Sequence, residues 1–70
     1  MSSISLATQA DAVRLAAMGQ RSLMERARVN TRRPRPPEWH DMTERFARDL
    51  DAAAETLAAL ARREGRSDAA

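Results

Sequence analysis

Near the middle of the chain the sequence reads Asn30-Thr31-Arg32-Arg33-Pro34-Arg35-Pro36-Pro37. Its three prolines remove three backbone donors and push the residues before them out of helical geometry. The rest of the 70 residues contains no break of this strength and is rich in Ala, Leu, Arg, Glu and Met, which favour helices. The sequence therefore predicts an all-α fold, a single domain formed by one antiparallel helical hairpin. We expect helix 1 over about residues 5–29, the turn over 30–36, helix 2 over about 37–64, and frayed tails at 1–4 and 65–70.

Each predicted helix carries an apolar stripe whose spacings alternate between three and four residues, as on one face of a helix. On helix 1 the stripe consists of Leu6, Ala10, Val13, Ala17, Gln20, Met24 and Ala27. On helix 2 it consists of Trp39, Thr43, Phe46, Leu50, Ala53, Leu57 and Leu60. Folding the chain at the turn brings the two stripes together as one antiparallel seam, in which small residues meet large ones.

Helix 1 has a second apolar stripe, which one partner helix cannot cover. Its predicted partner-binding residues are Ala12, Leu15, Met18, Gly19 and Leu23. A contiguous exposed apolar patch on a small protein commonly marks an interaction surface. The alternative is that these residues widen the core of the hairpin. We predict that the stripe docks another protein or a second copy of the chain, which would complete a helical bundle.

The turn is strongly basic. The first 37 residues contain seven arginines and two acidic residues, whereas the remaining 33 contain five arginines and eight acidic residues. Five arginines lie within ten residues, namely Arg26, Arg28, Arg32, Arg33 and Arg35. Such a cluster could contact phosphates, so the alternative function is a dimeric hairpin regulator that binds RNA or DNA through the turn. A hydrated turn is the other interpretation, because the aromatic residues that could stack on bases fall in the seam.

Candidate catalytic chemistry is sparse. The chain has no Cys and a single His, His40, with Asp41 and Glu44 within one turn of it and no second His or matching cluster elsewhere. Three or four ligands are needed for a typical metal site, so we predict no metal, no cofactor and no enzymatic activity. The longest apolar run, Leu57–Ala61, is five residues, far below the ~20 of a membrane span, and a signal peptide is not recognisable. We therefore expect a cytoplasmic protein with no membrane partner.

Helix 2 resembles a known family in two short segments. Pro37-Glu38-Trp39 and Arg48-Asp49-Leu50-Asp51-Ala52-Ala53 are similar to the second helix of the small co-chaperones of type III secretion needle subunits. The resemblance covers about half the chain, and the turns of that family are shorter and contain Gly. It implies a non-enzymatic protein that packs against a helical-repeat chaperone and keeps an aggregation-prone secreted subunit soluble.

Overall fold

A computed structural model describes the backbone of residues 3–69 and the side chains of residues 3–65. Over this range it contains two helices, α1 (Leu6–Val29) and α2 (Pro37–Ala69), which pack against each other as a hairpin. The described part of the chain has no strand and measures 57 × 22 × 18 Å. The predicted all-α hairpin is confirmed.

Helix α1 is capped at both ends by short polar residues. The Ser5 hydroxyl accepts a hydrogen bond from the Thr8 N–H at 3.1 Å, which satisfies one of the free donors of the first turn. At the other end the Asn30 N–H donates to the Ala27 carbonyl at 3.3 Å. The helix therefore begins one residue later than predicted, because Ser5 is the cap rather than the first helical residue.

The turn occupies residues 30–36, where the prolines predicted it. The Asn30 side-chain oxygen accepts hydrogen bonds from the N–H groups of Arg32 at 3.2 Å and Arg33 at 3.4 Å. Helix α2 then begins at Pro37, and the Trp39 N–H donates to the Pro36 carbonyl at 3.0 Å. Proline suits the first helical position, because the N–H it lacks would have no partner inside the helix.

The predicted end of helix 2 at residue 64 is wrong, because α2 continues to Ala69. Gly65 does not adopt a positive φ, so it does not form the left-handed cap that commonly ends a helix. A helical glycine costs only about 1 kcal/mol relative to alanine, and no proline follows it to force a break. The predicted fraying at residues 1, 2 and 70 lies outside the described residues.

The seam between the helices consists mainly of alanine. The buried residues are Ala10 and Ala17 on α1 and Thr43, Ala47 and Ala54 on α2. Each alanine pair is seven residues apart, which is two helical turns. Among the side chains that the structure describes, no large one is fully buried. The two helices thus approach each other through small residues, and the core of the hairpin is thin.

The predicted stripe of helix 1 is correct, since each of its residues is buried or half-buried. The predicted stripe of helix 2 is rotated by about one residue relative to the seam. Ala47 and Ala54 are buried there, whereas Phe46 is 50% exposed and Leu60 is 41% exposed. Small side chains let the two backbones approach closely, so the alanines occupy the contact and the larger residues lie along its edge.

Candidate protein interaction surfaces

One side of the seam, which we call the charged flank, carries ion pairs. Arg21 on α1 donates a hydrogen bond to Asp51 on α2, and Arg48 pairs with Glu44 at 3.1 Å. The hydrogen bond from Arg21 lowers the pKa of Asp51 below its ordinary value, and the same bond raises the pKa of Arg21. All four side chains are at least partly exposed, so this flank is suited to contact with water.

The opposite side, which we call the uncharged flank, is lined by apolar and amide side chains. A shallow depression there is bordered by Gln20 of α1 and by Trp39, Met42, Thr43 and Phe46 of α2. Because successive residues are about 100° apart around a helix, the same flank includes residues at regular spacing along both helices. Its members are Gln9, Ala12, Val13, Ala16, Gln20, Leu23 and Ala27 on α1 and Trp39, Met42, Phe46, Leu50, Ala53, Leu57 and Leu60 on α2. None of these fourteen residues is charged.

The five residues predicted to bind a partner are all exposed, but the structure divides them between two surfaces. Leu15 is 66% exposed and lies on the side of α1 that faces away from α2. Met18 is 58% exposed and lies between that side and the charged flank, about 100° around the helix from buried Ala17. Ala12 and Leu23 lie on the uncharged flank, and Gly19 lies between the two surfaces. We call the side of α1 that carries Leu15 and Met18 the outward face.

The outward face has a shallow depression lined by Asp11, Arg14, Leu15 and Met18. These residues stand at positions i, i+3, i+4 and i+7, which is the set that forms the hole for one side chain of a facing helix in coiled coils. Asp11 and Arg14 form an ion pair at 4.0 Å along one edge of the depression. An apolar floor with charged residues beside it is typical of a docking position with a polar rim.

The five arginines that lie within ten residues of sequence are spread over more than one surface of the hairpin. Only Arg32, Arg33 and Arg35 lie in the turn, and all three are exposed. The Arg35 guanidinium lies over the Trp39 ring, 5.1 Å from its centroid. Arg28 pairs with Glu25 at 3.5 Å, and Arg26 is on another side of α1 because residues two apart do not share a helix face. The structure thus does not bring the five arginines into one surface.

His40 is half-buried at the start of α2, where its ring meets the Trp39 ring edge-on with centroids 5.0 Å apart. Among the described residues there is no cluster of three or more His, Cys, Asp or Glu side chains that could hold a metal ion. The searched helices also include none that is long and apolar enough to cross a membrane.

One edge of α2 is exposed although the sequence pattern did not predict it. Met42, which is 68% exposed, was not assigned to any surface, and Phe46 and Leu60 were assigned to the seam. A usable signal was present, because Met42 stands three residues after Trp39 and four before Phe46. That spacing widens the apolar arc of α2 beyond what one facing helix covers.

Comparisons of the chain with protein-family models, with curated proteins and with solved structures gave no match. Its function is therefore inferred from the surfaces of the hairpin.

Proposed function

We propose that this chain is a non-enzymatic protein–protein interaction module, an adaptor or co-chaperone that docks a helix of another protein on the outward face of α1. The observation that supports the proposal most directly is the depression formed by Asp11, Arg14, Leu15 and Met18. It has the four-residue spacing that receives a side chain from a facing helix, and its two apolar residues are more than half exposed.

Burial of these two side chains accounts for a useful share of a binding free energy. Complete burial of a Leu or Met side chain contributes ~1.5–3 kcal/mol. Gly19 lies one turn beyond Leu15, and a Cβ added to it would meet no atom within 4 Å. No side chain covers the α1 backbone at this point, so the backbone of a partner helix can approach closely.

A narrower proposal concerns the class of the partner. The resemblance of α2 to co-chaperones of type III secretion needle subunits suggests a helical-repeat chaperone as the protein that packs against this hairpin. Such a chaperone presents helical surfaces, which fits the four-residue depression on the outward face.

A second candidate function is nucleic-acid binding through the turn. The exposure of Arg32, Arg33 and Arg35 supports it, since exposed guanidinium groups can pair with phosphates. We rank it second because Arg35 already stacks on Trp39 and because an exposed arginine is well hydrated without a ligand.

Affinity capture with two matched variants separates the two candidates. The tagged chain, Leu15→Glu with Met18→Glu, and Arg32→Gln with Arg33→Gln and Arg35→Gln are compared in lysate of the source organism, with and without nuclease. We expect the double variant to lose the captured protein and the triple variant to retain it, in a nuclease-resistant manner and with little dependence on salt. Circular dichroism of each variant checks that the helices persist.

The opposite pattern would contradict the proposal. If the triple arginine variant loses binding, nuclease abolishes capture and affinity falls steeply with salt, then the turn binds nucleic acid. In that case Leu15 and Met18 are surface residues without a partner.

A further inference from the structure

We propose that two copies of the chain associate through the uncharged flank to form an antiparallel four-helix bundle. This inference is independent of the proposed function, because Leu15 and Met18 on the outward face remain free in such a dimer.

The composition of the uncharged flank is the first argument. Charged residues make up 31% of the chain, so about four would be expected among fourteen residues at random, and more on an exposed surface. Between Trp39 and Leu60 the flank has none, and the next residue in line with Phe46 beyond this segment is Glu64. The charged flank, by contrast, carries two ion pairs. A second copy of the same flank can therefore cover it without burying an unpaired charge.

The hairpin also lacks the buried area that a stable small domain needs. Its seam holds four alanines and one threonine, while Met42, Phe46 and Leu60 remain largely exposed on one edge. Chains of this size rarely reach stability on one thin core. Pairing of two uncharged flanks places these large side chains in a common core between four helices.

The dimensions of the flank match those of a stable interface. Residues 39–60 of α2 span about 32 Å at 1.5 Å per residue, and the hairpin is 22 Å across. Their product is roughly 700 Å², close to the ~800 Å² that each partner contributes to a standard protein interface.

The α2 helices of two copies can pack against each other in antiparallel orientation. A two-fold axis between Asp49 and Leu50 places apolar residues of the flank opposite apolar residues of the second copy. The facing pairs are Trp39 with Leu60, Met42 with Leu57, and Phe46 with Ala53. In this register Leu57 enters the depression lined by Trp39, Met42, Thr43 and Phe46, whose spacing is again i, i+3, i+4 and i+7.

Helix α1 also brings apolar side chains to the axis. The Arg21–Asp51 ion pair fixes the level of α1 relative to α2. Because the two helices are antiparallel, an axis between Asp49 and Leu50 of α2 lies level with Ser22 and Leu23 of α1. The Leu23 side chains of the two copies, which lie on the uncharged flank, therefore meet close to the axis.

Charges at the ends of the interface agree with this register. Glu38, at the start of α2, comes level with Ala61 of the second copy, so Arg63 lies two residues, or about 3 Å along the helix, from Glu38, and the symmetric arrangement forms at the other end. Both charged residues are exposed and stand beside the uncharged flank rather than within it. Opposite charges at the rim favour the antiparallel arrangement over the parallel one.

Sedimentation of the full-length chain over a wide concentration range tests the association, using Phe46→Glu and Leu15→Glu as a matched pair. We expect a species of twice 7.8 kDa for the wild type and for Leu15→Glu. Phe46→Glu should weaken the association at least ten-fold, because it places two charges in the uncharged core. A wild type that stays monomeric, or a loss of dimer in Leu15→Glu alone, overturns the proposal.

Cross-linking tests the register directly. The chain contains no cysteine, so Asp49→Cys and Met42→Cys each introduce a single thiol. A short bifunctional maleimide should link the two copies of Asp49→Cys, whose thiols lie beside the axis. It should not link Met42→Cys, whose positions are about 22 Å apart in the antiparallel register. Links at position 42, or at neither position, contradict the register, whether or not a dimer forms. This result does not depend on whether Phe46→Glu folds.

Discussion

The two flanks of the hairpin are formed by the same two helices, but one carries charged side chains and the other carries apolar and amide side chains. On the charged flank, Arg21 and Asp51 connect the helices through exposed groups that water could also satisfy. On the uncharged flank, Met42 and Phe46 are exposed although water stabilises neither of them. Exposed ion pairs contribute little to the free energy of unfolding. Burial of the large apolar side chains would increase it, but the isolated hairpin leaves these side chains in water. The proposed dimer follows from this difference, because it covers the uncharged flank with a second copy and leaves the charged flank in water.

The seam between the flanks explains why this difference matters. Its alanines allow close contact between the helices, but each buries little apolar area. Most of the large apolar side chains therefore lie outside the seam, and what covers them decides how stable the folded chain is.

The largest effect is expected from Ala54→Leu, which places a large side chain in the seam. Ala54 is 1% exposed, so the added atoms must force the two helices apart. Overpacking of this kind costs ~1–3 kcal/mol or more, a large fraction of the stability of a small domain. Ala52→Leu is the matched control, because Ala52 is exposed two residues away. Thermal unfolding followed by circular dichroism should show a large loss for Ala54→Leu only, and equal melting temperatures would mean that the helices do not meet at Ala54.

The hairpin itself was predictable because its signals are local. The prolines at positions 34, 36 and 37 allow only one break, and the polar residues on helix 1 leave one continuous apolar seam from Leu6 to Ala27. The end of α2 was not predictable from the same signals. Gly65 reads as a stop, yet a glycine with ordinary helical φ does not end a helix when no proline follows.

The surfaces were only partly predictable, for a different physical reason. Hydrophobicity assigns Phe46 and Leu60 to the inside, but it does not say whether the inside is the seam or a second interface. The apolar arc of α2 is wide enough for both, and the helices meet where alanine permits the closest approach. The exposure of Leu15 and Met18 followed from the sequence, because neither belongs to the apolar stripe that forms the seam side of α1, whereas the position of Leu23 on the uncharged flank required the structure.

The second-largest effect is expected from Phe46→Ala on the uncharged flank, with Arg48→Ala on the charged flank as its control. If the uncharged flank is an interface, Phe46→Ala removes buried area in the dimer and should cost ~1–2 kcal/mol per chain, since half of the side chain is already covered in the hairpin. The melting temperature of the wild type should rise with protein concentration, and this dependence should largely disappear in Phe46→Ala. Arg48→Ala should keep it. Identical concentration dependence in both variants would remove the distinction between the flanks.

A smaller effect is expected on the charged flank from Asp51→Asn. Folding lowers the pKa of Asp51 because Arg21 hydrogen-bonds to its carboxylate, so the charged form is the one that stabilises the hairpin. This stabilisation is complete above the unfolded pKa of about 3.9 and is lost as the pH falls through the lower pKa of the folded chain. The melting temperature of the wild type should exceed that of Asp51→Asn at pH 7 and meet it under strongly acidic conditions. A difference that persists at the lowest pH would show that Asp51 acts through packing instead of charge.

The smallest effect concerns Asp49, the charged residue closest to the proposed two-fold axis. In the antiparallel register the carboxylates of the two copies lie at the rim about 8–10 Å apart, a separation at which unit charges in water interact by roughly 0.5 kcal/mol before screening. Arg45, one turn away on the same helix, offsets part of this repulsion, so Asp49→Asn should tighten the dimer by no more than about two-fold at low salt. Screening at 0.5 M salt should remove the difference, because the Debye length is then well below the separation. Glu55→Gln on the charged flank is the control and should leave the dimer constant unchanged. Should Asp49→Asn weaken association, or should Glu55→Gln tighten it equally, the axis does not pass beside Asp49 and the register of the two flanks is different.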